Sequence, residues 1–332
     1  MSGHNENPVA GLSSDRLDAT HEFLRELEKA ASGEARIRCG ELLAKRTTLR
    51  VGGPAEFFVE PRSEAALAGV VHLCRQEGKP VFVLGRGSNL LIRDGGIPGV
   101  VLSLGDGCFS KIEPWEKGLR VGAGARLKDV AHAARRLGWA GLEFLEGIPG
   151  SVGGALRMNA GAMGSEIFDR VERVRSMDRE GMIRERVRGE IKARYRGCAL
   201  LEEEIALGAW FCGEPAEEPR IREAMERFNR KRWETQPPQP SAGCIFRNPE
   251  GTPAGRLVDE LGLKGSREGG ARVSEVHGNF IVNEGGATAS DVLKLIERIQ
   301  RVVRDSRGID LRTEVEIVGV DRAGAPSGGG RT

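Results

Sequence analysis

Residues 81–96 read VFVLGRGSNLLIRDGG. An apolar run ends in a glycine turn, and a second apolar run follows at once. The turn, Gly85–Asn89, stands at the end of a strand, where a phosphate-binding loop stands. It departs from the dinucleotide fingerprint G-x-G-x-x-G, because Leu90 occupies the third glycine position. LLIRDG continues as strand and not as helix, which argues against a Rossmann helix N-terminus. The chain has no GxxxxGK[ST], so a P-loop nucleotidase is excluded. A plain β-turn explains these five residues as well as a ligand loop does.

Outward from this turn, strand and helix patterns alternate. Residues 56–59 predict a strand. Residues 63–76 place Leu67, Val70, Val71 and Cys74 on one helical face. Residues 81–84 predict a buried strand, and further strands are expected at 89–93, 99–104 and 119–122. A helix is expected at 126–137 with Leu127, Val130, Ala131 and Ala134 inward, and a β meander over 171–187. Near 213 the composition changes to a linker, GEPAEEPR, and a charged helix follows at 219–234. QPPQPSAG (236–243) then forbids a helix, because proline lacks the N–H and clashes with the preceding turn. A short helix over 253–262 and a strand over 279–283 come next. Thr288 or Ser290 caps a helix that runs to about 305, with Val292, Leu295, Ile296, Ile299 and Val303 on its inner face. EVEIV (314–318) is the last strand. The pattern is α+β in several small units. Residues 1–35 read as a polar arm with an amphipathic patch at Leu17, Phe23, Leu24 and Leu27. The Gly/Ser/Pro-rich stretch 321–332 is expected to be a disordered tail.

Composition narrows the classes. The chain has 332 residues, with 50 Lys and Arg against 48 Asp and Glu, a net charge of +2. That predicts neither a nucleic-acid footprint nor a polybasic membrane surface. No apolar run approaches the ~20 residues of a membrane span, and the N-terminus lacks the pattern of a secretory signal. Six scattered cysteines without a CxxC favour reduced thiols and a cytoplasmic location. Five histidines without zinc spacing predict no metal site. The 47 glycines are about twice the ordinary ~7%. They predict turns, or loops that bring main chain close to a ligand.

Other stretches carry candidate chemistry. GIPGSVGGALRMNAG (147–161) concentrates glycines and small residues between apolar segments. Such a loop can form an anion-binding nest of backbone N–H groups. A tight turn with a small-residue packing seam explains it less well. In SAGCIFRNP (241–249), Cys244 is a potential proton donor or nucleophile; a buried structural cysteine is the plainer reading. Tyr195-Arg196 contains the only tyrosine in the chain. A solvated arginine beside a half-buried aromatic accounts for that pair. Glu314 and Glu316 share a strand face opposite Val315 and Ile317. An ordinary solvated face explains them too.

Order and wording together are more specific. The chain carries TLRVGGPAEFFVEP (48–61), VLGRGSNLLIRDGGIPGVV (83–101), GLEFLEGIPGSVGGALRMNAGAMGSEI (141–167), YR (195–196), QPSAGCIFRNPEGTPAGRLVDELGLKG (239–265), GNFIVNEGGATASDVLKLI (278–296) and LRTEVEIVG (311–319). This series resembles the UDP-N-acetylenolpyruvoylglucosamine reductase family, in order, over about 48–319. The resemblance implies an α+β fold. A two-part FAD-binding region of the flavin oxidase (PCMH-like) type is joined by a smaller α+β substrate domain. The first FAD subdomain is expected at 36–103 plus 309–320, the second at 104–214 and the substrate domain at 215–308.

The resemblance also implies roles. Non-covalent FAD would be held by Val51, Gly52, Gly53, Gly85, Arg86, Gly87, Ser88, Asn89 and Leu90. The second loop, Gly147, Ile148, Pro149, Gly150, Ser151, Val152, Gly153 and Gly154, completes the set. NADPH is the implied co-substrate, and the enolpyruvyl UDP-sugar the implied substrate. Arg196 would bind the substrate carboxylate, Glu314 would help polarise it, and Cys244 would donate the proton. Tyr195 and Asn248 would contact substrate, and Lys231 and Arg232 lie near the region implied for its phosphates. The chain departs from the family at Cys244, where many members have serine. A free thiol has a pKa near ~8.5, far below an alcohol, so it is the readier donor, and a fall in activity at alkaline pH is expected. Cys198 replaces the serine of YRxS, and Arg312 the glutamate of the terminal LExE. With one tyrosine, the chain is expected to lack the family's tyrosine-bearing loop. A monomer or weak oligomer is expected, without nucleic-acid or membrane partners. Another flavin oxidase and a non-catalytic flavin-binding protein are the alternatives.

Overall fold

The computed structural model describes residues 14–322, with side chains from 18 onward. The chain forms two compact units. The first contains the described residues through Cys39, with Phe57–Arg86 and Gly99–Glu234. The second contains Gly40–Glu56, Gly87–Pro98 and the described residues from Thr235. Its three segments come from distant parts of the sequence.

The first unit has two cores. One lies on a four-stranded sheet in the order Ala35–Cys39, Ala55–Pro61, Ile97–Leu102, Val81–Val83. The first pair is antiparallel and the last parallel. The helices Ser14–Ala30 and Glu64–Gln76 supply Phe23, Leu27, Leu67, Val70 and Cys74 to this core, opposite Phe57, Val59, Val100 and Leu102. Ser63 caps the second helix by accepting from the Ala66 N–H. The strand expected to be buried at 81–84 is instead an edge strand. Only Ile97–Leu102 pairs with it, and Val81 and Val83 are 37% and 41% exposed.

The other core lies on a five-stranded antiparallel sheet. Its order is Ile183–Val187, Val171–Met177, Ile205–Cys212, Gly118–Gly122, Ile112–Trp115. The hairpin over 171–187 is there as expected. Its central neighbour, Ile205–Cys212, was not expected. The helix Leu127–Arg136 buries Leu127, Val130, Ala131 and Ala134 in this core, as its spacing predicted. The short helix Val152–Arg157 lies inside the second glycine stretch. The helix Glu218–Thr235 contributes Ile221 and Met225. The first compact unit runs to Glu234 and so includes most of this helix.

The second unit is built on strands Ser241–Cys244, Phe280–Asn283, Ala271–Val273 and Arg267–Glu268, paired antiparallel in that order. The helices Ala254–Glu260 and Ala289–Arg307 cover it. Thr288 caps the long helix in a reciprocal box with Asp291, and Gly308 ends it in the left-handed conformation at φ +66°. Leu90–Ile92 pairs in parallel with the last strand, Glu316–Val318. That strand is shorter than the expected 314–318, because the Glu314 N–H bonds Ile245 O instead of a strand partner. Residues 1–13 of the arm and 323–332 of the tail lie outside the described residues.

Candidate active site

The two glycine loops meet within the first unit. A Cβ built on Gly85 would lie 2.8 Å from Ser151 Oγ and 4.0 Å from Gly154 Cα. Any side chain at 85 would press on the second loop. The turn then passes into the second unit. There Gly87 takes φ +60°, and a Cβ on it would stand 2.6 Å from Arg46 O. Thr48 fixes this part of the turn, donating from its N–H and Oγ1 to Gly87 O at 3.2 and 3.3 Å. The backbone N–H groups of Gly85 to Asn89 donate to no acceptor among the described residues. The neighbouring turn is held by Thr47 Oγ1, which donates to Val51 O at 2.9 Å and accepts from Val51 N. Gly53 fits there because a Cβ would lie 2.3 Å from Asp94 O. Leu90 opens the strand that pairs with Glu316–Val318.

The second loop is fixed at both ends. Leu127 N–H donates to Gly150 O at 3.2 Å, Val152 N–H to Ala125 O at 3.0 Å and Gly153 N–H to Ala123 O at 2.7 Å. The N–H groups of Gly150 and Ser151 have no acceptor among the described residues. Pro149 and Gly154 are exposed, Ile148 is half-buried, and nothing lies within 4 Å of a Cβ built on Gly147. Burial, and then the nearby Arg126 charge, pull the Arg86 pKa down, with Asp129 opposing. Within the first unit, the unpaired N–H groups of Gly85, Arg86, Gly150 and Ser151 and the guanidinium groups of Arg86 and Arg126 make a donor set that fits the pyrophosphate of FAD.

Arg196 also belongs to the first unit. It occupies the second corner of a two-residue turn between Ala193–Arg194 and Gly197–Cys198. Its φ of +55° is uncommon for a residue with a Cβ, a local strain that the surrounding hairpin sustains. Its guanidinium carbon lies 4.8 Å from the Tyr195 ring centroid, and Tyr195 is exposed. Cys198 is buried in the adjoining core, and burial pushes its thiol pKa up.

Cys244 and Glu314 are brought together in the second unit. Ile245, which follows the cysteine, accepts from the Glu314 N–H at 2.8 Å. Phe246 bridges Thr313, and the Arg247 N–H donates to Arg312 O at 2.9 Å. This antiparallel ribbon sets the thiol-bearing strand end beside the glutamate. Register slips between Ser241 and Cys244 where Gly243 takes φ +77°, so the strand bends just before the cysteine. Asn89 Nδ2 donates to Glu314 O at 3.2 Å and joins the glycine turn to the same ribbon. Asn248 is exposed, and its Oδ1 accepts from the Ala254 N–H at 3.0 Å. Half of that carboxamide therefore serves the start of the helix Ala254–Glu260. The roles of Thr47, Thr48 and Arg126 escaped the sequence reading, although both threonines adjoin the VGGP turn.

A flavin-binding oxidoreductase is the class that this fold and these loops define. Residues 55–186 match the FAD binding domain family, and residues 236–318 match the family described as UDP-N-acetylenolpyruvoylglucosamine reductase, C-terminal domain. Over 90% of its length the chain is 42% identical to the UDP-N-acetylenolpyruvoylglucosamine reductase of Methylorubrum extorquens, covering 97% of that protein. It is 45% identical to the enzyme of the same name from Geobacter metallireducens, over 84% of this chain and 93% of the other. The crystal structure of the UDP-N-acetylenolpyruvylglucosamine reductase of Thermus caldophilus superposes with a TM-score of 0.75 at 38% identity, covering 85% of this chain and 99% of that one. The chain belongs to the UDP-N-acetylenolpyruvoylglucosamine reductase family. No helix among the described residues is long and apolar enough to cross a membrane.

Proposed function

We propose that this chain reduces UDP-N-acetylenolpyruvoylglucosamine to UDP-N-acetylmuramate at the expense of NADPH. The observation that carries the reading is the ribbon joining Cys244 to Glu314, in a chain related over 90% of its length to a reductase of that name. FAD, when bound, supplies the two-electron relay between NADPH and the sugar. Gly85–Asn89 and Gly147–Gly154 hold it, and the VGGP turn, with Val51, Gly52 and Gly53, supports the first of these loops. The overall change adds a hydride equivalent to the terminal enolpyruvyl carbon and a proton to the neighbouring carbon, and NADPH leaves as NADP+.

Charge then develops on the substrate carboxylate. Arg196 is the cation assigned to it, because a guanidinium binds a carboxylate through two parallel N–H bonds. Tyr195 stacks on that guanidinium and orients it. Cys244 supplies the proton and recovers it from solvent. Glu314 polarises the carboxylate through a shared proton or a water, since two bare anions would repel. Asn248 retains its Nδ2 donor for the substrate.

Anaerobic absorption spectroscopy tests the reading. NADPH should bleach the flavin band, and the enolpyruvyl UDP-sugar should restore it. In Cys244→Ala the bleaching should persist, and restoration should slow by roughly two to four orders of magnitude, the range for a lost general acid. Restoration at the wild-type rate in that variant would remove Cys244 from the mechanism. An apoprotein unable to bind FAD would sink the reading as a whole.

A further inference from the structure

Ser151 and Val152 anchor the far part of the second glycine loop by burial, but around Gly147, at its start, there is open space. The order of its first residues must come from the flank before them. The residue just before it, Glu146, lies in the short 3-10 helix Glu143–Gly147, whose Phe144 and Leu145 are buried. The Glu146 side chain is only 7% exposed. Two side chains of one helix contact it. Lys128 Nζ lies 3.3 Å from one carboxylate oxygen, and His132 Nε2 lies 3.1 Å from the other. Both come from the helix Leu127–Arg136.

From the helix Glu218–Thr235, Arg232 donates through Nη1 to Gly147 O, the first carbonyl of the loop. Burial lowers the Arg232 pKa, and the Glu146 charge opposes that shift. Behind the carboxylate lies a cavity of about 90 Å³ lined by His132, Arg135, Glu146, Arg222, Met225 and Asn229 among others. Two polar atoms of its lining residues, Glu146 Oε2 and Arg135 Nε, are buried without a hydrogen bond. A buried carboxylate is costly unless cations compensate it. Here Lys128 and Arg232 are the cations, at the start of a ligand loop.

We infer that Glu146 is a positioning residue for the flavin. Clamped by Lys128 and His132, and seconded by Arg232 on the next carbonyl, it fixes the backbone of Gly147–Gly154 before the cofactor arrives. The free N–H groups of Gly150 and Ser151 are then already aimed, and binding does not have to order them. This rests on the FAD reading above, and the test separates the two.

Apoprotein is titrated with FAD, followed by quenching of flavin fluorescence, and thermal unfolding of the same apoprotein is measured alongside. Glu146→Gln should weaken FAD binding by roughly tenfold while the apoprotein midpoint stays within a few degrees. Its extra hydrogen exchange should be confined to the segment around 147–154. Arg232→Met should weaken binding in the same way, and Arg232→Lys, which keeps a donor for Gly147 O, should regain most of it. Should Glu146→Gln fail to fold, the double variant Lys128→Gln/His132→Gln decides, since Lys128 is largely exposed. FAD affinity unchanged in the folded variant overturns the inference, as does a loss spread over the whole protein's stability and exchange. Failure of the wild-type apoprotein to bind FAD overturns the flavin reading instead.

Discussion

At Gly85 a single hydrogen atom keeps two loops apart, and the consequence is measurable. In Gly85→Ala the new methyl meets Ser151 Oγ, the end of a short side chain that can turn away. The fold should survive with a loss of about 1 kcal/mol or less, while FAD affinity falls several-fold, as fluorescence titration would report. Two thiols, one buried and one half-buried, give a second prediction. Burial pushes Cys74 up to about 11, and burial with the Glu172 carboxylate 3.1 Å from Sγ does the same to Cys212. In the unfolded chain such thiols ionise near ~8.5. The unfolded state therefore sheds protons first, and native stability should fall as pH rises from about 8.5 toward about 11. Urea midpoints across that range would show it, and Cys74→Val should flatten the slope. The residues proposed for the site stand in quoted motifs, so the sequence could name them. The partners that aim them were not. No pattern in the sequence tells that Asn248 Oδ1 serves Ala254 N–H, or that Arg86 lies near Arg126.

Among the elements, the helix Ala289–Arg307 shows what local sequence can specify. Its cap, its inner face and its glycine stop are all within reach of one another along the chain. Thr288→Ala removes one arm of the capping box and should cost about 1 kcal/mol in urea unfolding, without altering FAD binding. The strand Ile205–Cys212 shows the opposite. It lies at the centre of its sheet, with neighbours on either side, and five consecutive residues from Leu207 are buried. A strand buried on both faces loses the alternation that announces a strand. At 81–83 the error ran the other way. An unbroken apolar run suggested burial, yet the strand is an edge with two exposed valines. Hydrophobicity along a run reports which groups would gain from burial, not whether a neighbour exists to bury them.

For the molecule as a whole, ligand binding should dominate the observed stability. FAD binds the native state only, so a hundredfold excess over its dissociation constant adds about 2.7 kcal/mol. The melting midpoint should rise with FAD concentration. Differential scanning calorimetry with and without FAD would resolve this. The α+β class was readable from alternating patterns, but the composition of the two units was not. Gly40–Glu56 and Gly87–Pro98 join a body otherwise made of residues beyond Thr235, and only tertiary contacts reveal it. That interleaving has a consequence during synthesis. The side chains of the first unit's cores have all emerged once Glu234 has left the ribosome. Leu49, Val51 and Leu91 have emerged too, but the core that buries them is finished only by Leu311 and Val315. While residues 235–315 are translated, the nascent chain carries these apolar groups without their native neighbours. A chaperone that samples growing chains should therefore hold this one longest between the appearance of Glu234 and that of Val315, and ribosome profiling of chaperone-bound chains would place the peak there.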